Sequence, residues 1–326
     1  MRAVVCRRYG PPEDLALDEV PDPTPGPGEL VVLVRAAAVN FPDVLLINGK
    51  YQVQIPVPFT PGSELAGEVA AVGDGVNLAP GERVSGTAFV GAFAEQALLR
   101  AESVSPIPDD VDFAAAAAFG VTYRTAYHAL RSVAEVSEGD WVVVLGAGGG
   151  VGLAAVDLAV AMKARVLAAA STSEKLEVCR RRGAEATIDY SREDLKARIR
   201  ELTDNGARVA IDPVGGPYAE PTLRGLGRGG VFVTLGYAAG AIPAIPLNLV
   251  LLKGITVRGM EIRTFMGDHP DQAARDIQEL EQMFADGRIR PYIGARFPLS
   301  ETATALRYVA DRKAIGKVVI DVTPTA

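Results

Sequence analysis

Residues 141–190 read WVVVLGAGGGVGLAAVDLAVAMKARVLAAASTSEKLEVCRRRGAEATIDY, and this stretch decides the fold. Trp141–Leu145 is a short, wholly apolar run, as expected of a strand buried on both faces. The cluster Gly146-Ala-Gly-Gly-Gly-Val-Gly152 follows at once. A predicted helix over Leu153–Ala164 carries only Asp157 and Lys163 as charges, and a second strand over Arg165–Ala170 closes a βαβ unit of about 30 residues. Glycines between strand and helix let backbone approach a ligand, and the helix N-terminus offers free N–H groups with partial positive charge. That combination suits a pyrophosphate.

The spacing departs from G-x-G-x-x-G: it runs Ala147-x-Gly149-x-x-Gly152, with alanine in the first place. Strand before and helix after give the fingerprint its weight. A site for NAD normally ends its second strand on Asp or Glu, which holds the ribose 2′-hydroxyl. Here the strand ends Ala168-Ala-Ala-Ser171-Thr-Ser-Glu-Lys175. A hydroxyl followed by a lysine suits a 2′-phosphate, which an acid would repel, so NADPH is expected as cofactor. Ser171-x-x-Glu174 also reads as a capping box for the next helix, and Lys175 also reads as a solvated side chain.

The chain has 326 residues, room for about two domains, with 48% hydrophobic and 22% charged residues and a net charge of −7. That acidity argues against a nucleic-acid partner. The start, MRAVVCRRYG, lacks the apolar centre of a secretion signal. The best candidate for a span, Ala238–Leu252, is broken by Gly240, Pro243, Pro246 and Asn248, so no membrane span is expected; a cytoplasmic protein is. Two cysteines (Cys6, Cys179) and two histidines (His128, His269), far apart in sequence, offer neither a disulfide framework nor a clustered zinc site. No metal is expected.

Before residue 115 the chain reads as short strands: Arg2–Arg8, Leu15–Val20, Glu29–Ala37, Leu65–Val72, Arg83–Ala88 and Ala92–Arg100. Gly/Pro turns separate them, as in a compact barrel. Residues 40–62 begin as a short helix and continue as a proline-punctuated loop, the kind of segment that carries binding residues on a rigid scaffold. Asp112–Leu130 reads as two alanine-rich helices joined near Gly120. Beyond Tyr190 the alternation continues with a helix at Arg192–Leu202, strands at Ala207–Ile211 and Val231–Leu235, and a last strand at Ile255–Met260. This implies an α/β, doubly wound parallel sheet. An amphipathic segment, Gln272–Asp286, and a closing strand, Lys317–Val322, are expected to return to the first domain.

The segments Asn40-Phe-Pro-Asp43, Gly49-Lys-Tyr51, Pro61-Gly-Ser-Glu64, Gly67-Glu-Val69, Gly146–Gly152, Glu174-Lys175 and Gly316-Lys-Val-Val319 stand in the order of a known family. With them the chain resembles the medium-chain dehydrogenase/reductases, in their zinc-free, zeta-crystallin-like quinone reductase branch. The resemblance implies a GroES-like β-barrel catalytic domain from residues 1–117 and 261–326, and a Rossmann domain from 118–260. Zinc-dependent relatives carry histidine where Ser63 stands. The resemblance further implies that Ala147, Gly149, Gly150 and Val151 meet the pyrophosphate. It sets Ser171, Lys175 and Tyr190 at the 2′-phosphate, and Asn40, Thr122, Gly236 and Tyr237 beside the nicotinamide. Tyr51 and Asn40 are the implied catalytic pair. Taken alone, Tyr190 reads equally as a packed strand-end aromatic and Thr122 as an ordinary helix-start hydroxyl.

The activity so implied is hydride transfer from NADPH to a quinone or similar conjugated carbonyl. The protein would supply positioning and stabilisation of the developing oxyanion. An enoyl-thioester or enone reductase is the alternative; an acyl carrier's phosphates would want a basic entrance, and residues 40–62 hold no compact basic run. An alternative of another class is a weakly active, crystallin-like structural or regulatory protein. A homodimer is expected from the apolar run Ala238–Leu252, which is too hydrophobic to lie bare.

Overall fold

A computed structural model describes residues 1–322. The chain forms two compact units, Met1–Val121 with Pro291–Ala326, and Thr122–Arg290. In the first, a small antiparallel ribbon, β1 (Arg2–Val5) and β2 (Ala16–Glu19), precedes the long central strand β3 (Glu29–Val39). Helix α1 (Phe41–Ile47) follows, then β4 (Glu64–Val72), β5 (Arg83–Thr87), β6 (Gln96–Arg100), β7 (Val104–Pro106) and helix α2 (Phe113–Ala117). Along one edge β3 pairs with β4; along the other its first half pairs with β6. Both faces of β3 are largely buried, which explains its apolar sequence, ELVVLVRAAAV.

The second unit begins with α3 (Gly120–Tyr127), whose first two residues belong to the first unit, and a π-helical turn (His128–Val133). The alternating part then runs β8 (Trp141–Leu145), α4 (Gly150–Ala161), β9 (Arg165–Ala170), α5 (Ser173–Arg181), β10 (Ala186–Asp189), α6 (Leu195–Leu202), β11 (Ala207–Asp212), α7 (Ala219–Gly225), β12 (Leu226–Thr234), α8 (Leu247–Lys253) and β13 (Thr256–Gly259). The six strands form one parallel sheet in the order β10-β9-β8-β11-β12-β13. All five residues of β8 are buried, as its sequence requires. Winding runs outward from β8 to β9 and β10, then crosses back to β11, so the order reverses between β8 and β11. Ligands of open α/β sheets bind at the carboxyl ends of strands beside such a reversal. Asp157, the acid inside apolar α4, is buried and gripped by Arg182 (Nε to Oδ1, 2.7 Å) and by the Tyr123 hydroxyl. A buried carboxylate needs such partners.

Helices α9 (Ile262–Asp268) and α10 (Pro270–Ala285) lie in this unit, not in the barrel-like one where the segment Gln272–Asp286 was expected. The boundary thus falls after Arg290 rather than at 261. Ala273, Leu280, Met283 and Phe284 form the buried face of α10. Its polar side chains are engaged by the 122–133 helical segment: Tyr127 donates to Glu279 (2.6 Å), His128 Nδ1 to Asp276 (2.8 Å) and Arg124 to Glu281 (3.3 Å).

The chain then returns through β14 (Ile293–Pro298), α11 (Thr302–Ala310) and β15 (Lys317–Asp321). Strand β15, where a closing strand Lys317–Val322 was expected to return to the first domain, pairs antiparallel with the second half of β3, and β14 adds in parallel outside it. The main sheet of this unit thus runs β14-β15-β3-β4-β5-β7, with β6 paired to β3. Residues 323–326, the last of the range assigned to this domain, lie outside the described residues. Among the described residues no helix is long and apolar enough to cross a membrane.

Candidate active site

In the second unit the glycine turn does what its composition suggests. A Cβ on Gly152 would lie 2.2 Å from the Gly146 carbonyl oxygen, so helix α4 can approach the turn only through glycine. No side chain caps α4 at Gly149, which leaves the N–H groups of Gly150, Val151 and Gly152 directed off the helix start. Those donors and the helix dipole form an anion site. Ala147 is fully buried, its N–H on the Ala169 carbonyl (3.0 Å), and fixes the turn to the tip of β9.

Lys175 lies across this turn. A Cβ on Gly148 would come within 2.6 Å of the Lys175 Cβ and 2.7 Å of its Cγ, so glycine there admits the lysine stem. The cap of α5 is Thr172, whose Oγ1 accepts the Lys175 N–H at 3.3 Å. The box Ser171-x-x-Glu174 is therefore corrected by one residue, because the extended backbone lasts through Thr172. Ser171 keeps its side chain out of the cap, and its carbonyl accepts from the Ser191 hydroxyl at 3.4 Å. Tyr190 donates its N–H to the Ala170 carbonyl (3.1 Å), which puts it beside the tip of β9, where its ring lies against Tyr218 with centroids 4.2 Å apart. Strand β9 thus ends without an acid of its own, with Ser171, Lys175 and Tyr190 in the segments beside its tip, and Asp189 of the adjacent β10, opposite Ala170, is engaged by the Ser191 hydroxyl. This arrangement fits a dinucleotide whose adenosine ribose bears a phosphate.

The turn Gly236-Tyr237 lies against the turn after β11: the Ala238 N–H reaches the Pro213 carbonyl (3.3 Å), and a Cβ on Gly215 would meet the Tyr237 ring at 2.7 Å. Tyr237 is exposed and Thr122 is buried. Asp212, at the end of β11, was missed by sequence reasoning. Its Oδ1 accepts the N–H groups of Val214 (2.8 Å) and Gly215 (2.7 Å), shaping this turn, and burial raises its pKa.

In the first unit Asn40 directly follows β3 and stands at the N-terminus of α1. It is buried, and its Oδ1 accepts from Lys317 Nζ at 2.7 Å. Its Nδ2 donates to Glu64 Oε1 (2.9 Å) and Ser63 Oγ (3.2 Å). Lys317 and Glu64 form a buried ion pair at 2.6 Å. The other Glu64 oxygen caps α3 through the Val121 N–H at 2.7 Å. Asp43 Oδ2 accepts the Asn40 N–H at 2.7 Å. Complete burial pushes the Asp43 carboxyl up to about 7; the nearby Glu64 adds to the rise, while the Asn40 N–H, Lys317 and Ser63 oppose it. Glu64, Asp43 and Lys317 had no role assigned from sequence. For two of them a signal was available: Asp43 stands directly before the apolar run Val44–Ile47 and Lys317 before Val318–Ile320. Tyr51 is half-buried in the loop after α1, its ring 6.2 Å from that of Phe89. Among the described residues no three His, Cys, Asp or Glu side chains are grouped to hold a metal.

The two units match known families separately. Residues 26–109 fit the alcohol dehydrogenase GroES-like domain, and residues 150–283 the domain described as zinc-binding dehydrogenase. A quinone oxidoreductase-like protein 2 homolog of Nematostella vectensis is 36% identical over 98% of this chain and 88% of its own. A quinone oxidoreductase of Pseudomonas aeruginosa is 35% identical over 96% of this chain and 97% of its own. The crystal structure of Escherichia coli quinone oxidoreductase complexed with NADPH superposes with a TM-score of 0.91 at 27% identity, covering 98% of this chain and 100% of that one. The chain therefore belongs to the medium-chain dehydrogenase/reductases, as an oxidoreductase of their quinone oxidoreductase branch.

Proposed function

We propose that the protein is an NADPH-dependent, metal-independent reductase of quinones or similarly conjugated carbonyls. The observation that supports the cofactor is the tip of β9: the strand itself ends on alanines followed by Ser171, Lys175 lies over the glycine turn, the Tyr190 N–H bonds the Ala170 carbonyl, and the neighbouring carboxylate, Asp189 of β10, is engaged by Ser191. When bound, NADPH supplies a hydride, which is two electrons and one proton; a second proton completes the two-electron reduction of the acceptor. The residues of the chain do the rest. N–H groups of Gly150, Val151 and Gly152 hold the pyrophosphate, while Lys175, Tyr190 and Ser171 hold the 2′-phosphate. Gly236 and Tyr237 bound the nicotinamide end together with Thr122. Tyr51 would donate a hydrogen bond to the acceptor oxygen through its phenol O–H.

The same unit carries a surface that supports a homodimer. Strand β13 ends the parallel sheet, with every residue exposed. Beside it α8 leaves Leu247 (77%), Leu251 (80%) and Leu252 (65%) open to solvent. An open strand edge and an apolar helix face together favour pairing with a second copy.

The test follows NADPH oxidation with a benzoquinone, phenanthrenequinone, a simple enone and a crotonyl thioester, before and after dialysis against a strong chelator. Quinone turnover that survives dialysis is expected. Turnover of the thioester alone would replace the quinone reading with an enoyl reductase, and activity restored only by zinc would overturn metal independence.

A further inference from the structure

A fully buried carboxyl needs either a cation or a proton, and the bonds around Asn40 decide which one Asp43 has. The cluster holds two carboxyls, Asp43 at 0% and Glu64 at 1% exposure, and one ammonium, Lys317 at 3%. Lys317 spends its three hydrogens on the Val39 carbonyl (3.1 Å), Asn40 Oδ1 (2.7 Å) and Glu64 Oε1 (2.6 Å), and an ammonium has no fourth. Glu64 is therefore the carboxylate of the ion pair, its second oxygen taken by the Val121 N–H. Asp43 meets only uncharged donors, the Asn40 N–H on Oδ2 (2.7 Å) and the Ser63 hydroxyl. Both carboxyls rest on one asparagine, Asp43 on its backbone N–H and Glu64 on its side-chain amide. Two carboxylates there would share a single cation and leave one negative charge uncompensated.

We propose that Asp43 is a proton-binding site of the first unit: the folded chain holds its carboxyl as a neutral acid, and a rise in pH that removes the proton weakens the corner between β3 and α1. A buried charge without a partner of its own costs so much that such a group takes up a proton instead. Burial and the Glu64 charge push the Asp43 carboxyl up from 3.8 to about 7, while the Asn40 N–H, Lys317 and Ser63 oppose the rise. The charged side chains that act on it are thus Glu64 of β4 and Lys317 of β15. Helix α11 also packs on α1, and its one charged side chain, Arg307, is held by Glu13 (2.6 Å). The start of α1 favours an anion, but over seven residues this end effect is small beside complete burial.

Neutral, the carboxyl still accepts the Asn40 N–H and so keeps its half of the cap that starts α1. Ionised, it adds a second buried negative charge near Glu64, a repulsion relieved when α1 opens to water. In the unfolded chain the carboxyl titrates near its ordinary 3.8. Between that value and about 7 the folded chain binds one proton that the unfolded chain lacks, so stability falls as pH rises across this window and is flat above it. Surface carboxylates act with the opposite sign: Arg307 holds Glu13 down to about 2. Neither cofactor nor substrate takes part, so the device stands apart from the reductase reading.

The experiment compares the full chain with its Asp43→Asn variant, which keeps an oxygen for the Asn40 N–H and cannot ionise. Hydrogen exchange read by mass spectrometry, corrected for the intrinsic rate, gives the protection of α1 from about pH 5 to 8. The ratio of wild type to variant cancels the titrations the two share. It should fall about tenfold per pH unit between about pH 5 and 6.5, and level off above about 7. At about pH 6, where ordinary carboxyls are ionised, the infrared spectrum of the wild type should carry a protonated-carboxyl band that Asp43→Asn lacks. A ratio that stays constant or rises with pH shows Asp43 ionised in the fold and overturns the inference, as does a missing band. Asp43→Ser, a smaller neutral group, should give the same pH dependence relative to the wild type. Failure of both neutral variants to fold at about pH 6 would mean that the charge itself is required, and that outcome also overturns the inference.

Discussion

Replacing Lys317 by methionine isolates what the buried ion pair contributes to the first unit. Lys317 is 3% and Glu64 1% exposed at the side chain, with nitrogen and oxygen 2.6 Å apart. The other pairs on the same sheet are different: Arg296–Asp321 leaves 56% and 37% of its side chains in solvent, and such pairs contribute about 0–1 kcal/mol. Lys317→Met keeps a similar length and volume but leaves the Glu64 charge buried, held only by the N–H groups of Asn40 and Val121. It also strips the Val39 carbonyl and Asn40 Oδ1 of their donor. Breaking a buried pair from one side costs roughly 3–5 kcal/mol, most of it from the stranded charge. For a unit of this size that corresponds to a Tm lower by about 6–20 °C. Glu64→Gln should cost a comparable amount by stranding the ammonium. The double variant Lys317→Met/Glu64→Gln removes both members of the pair and strands neither, so it should lose no more than either single change. Urea titration followed by circular dichroism, with calorimetry to separate the transitions of the two units, supplies the three free energies of the cycle. A loss under about 1 kcal/mol for Lys317→Met would refute the reasoning, as would a double variant equal to the sum of the singles.

Lys175→Ala should weaken NADPH by about 10- to 150-fold, the worth of one charged contact to phosphate, and leave NADH almost untouched; equal losses would remove Lys175 from the 2′-phosphate. Leu251→Lys, on the open face of α8, should turn a homodimer into a monomer in light scattering without loss of fold, and a monomeric wild type would contradict the pairing. Tyr51→Phe should leave cofactor affinity and quinone reduction within about tenfold while lowering enone reduction about 100-fold or more, because a carbanion needs an acid and a quinolate takes its proton from water. Loss of cofactor binding instead would make Tyr51 structural.

Legibility followed burial. Strands β8 and β9 are covered on both faces, so the apolar runs Trp141–Leu145 and Arg165–Ala170 coincide with the elements formed. Strand β12 begins at Leu226, five residues before the expected Val231, because Gly227-Arg-Gly-Gly230 reads as a turn, whereas in the sheet its register against β11 shifts to absorb those residues. Strand β14 alternates between half-buried and exposed positions and offers no apolar run. The domain boundary failed for a related reason. The apolar stripe of α10 announces that something must cover it, and only the partners Tyr127 and His128 reveal what does.

The candidate site was legible as residues and illegible as geometry. The glycine turn is local in sequence, so its anion site could be read directly from strand, turn and helix. The cluster around Asn40 joins groups 277 residues apart, and what joins them is strand register. Ala38 of β3 stands opposite Glu64 of β4, and Val39 opposite Val318 of β15. Those two registers bring the end of one strand and the starts of two others to the same edge of the sheet, with Asn40 between Glu64 and Lys317. A one-residue slip of either strand would turn its ionisable side chain to the other face. The buried charges therefore act as register marks as well as partners: a slipped sheet would bury an unpaired carboxylate or ammonium, and that penalty favours the observed pairing.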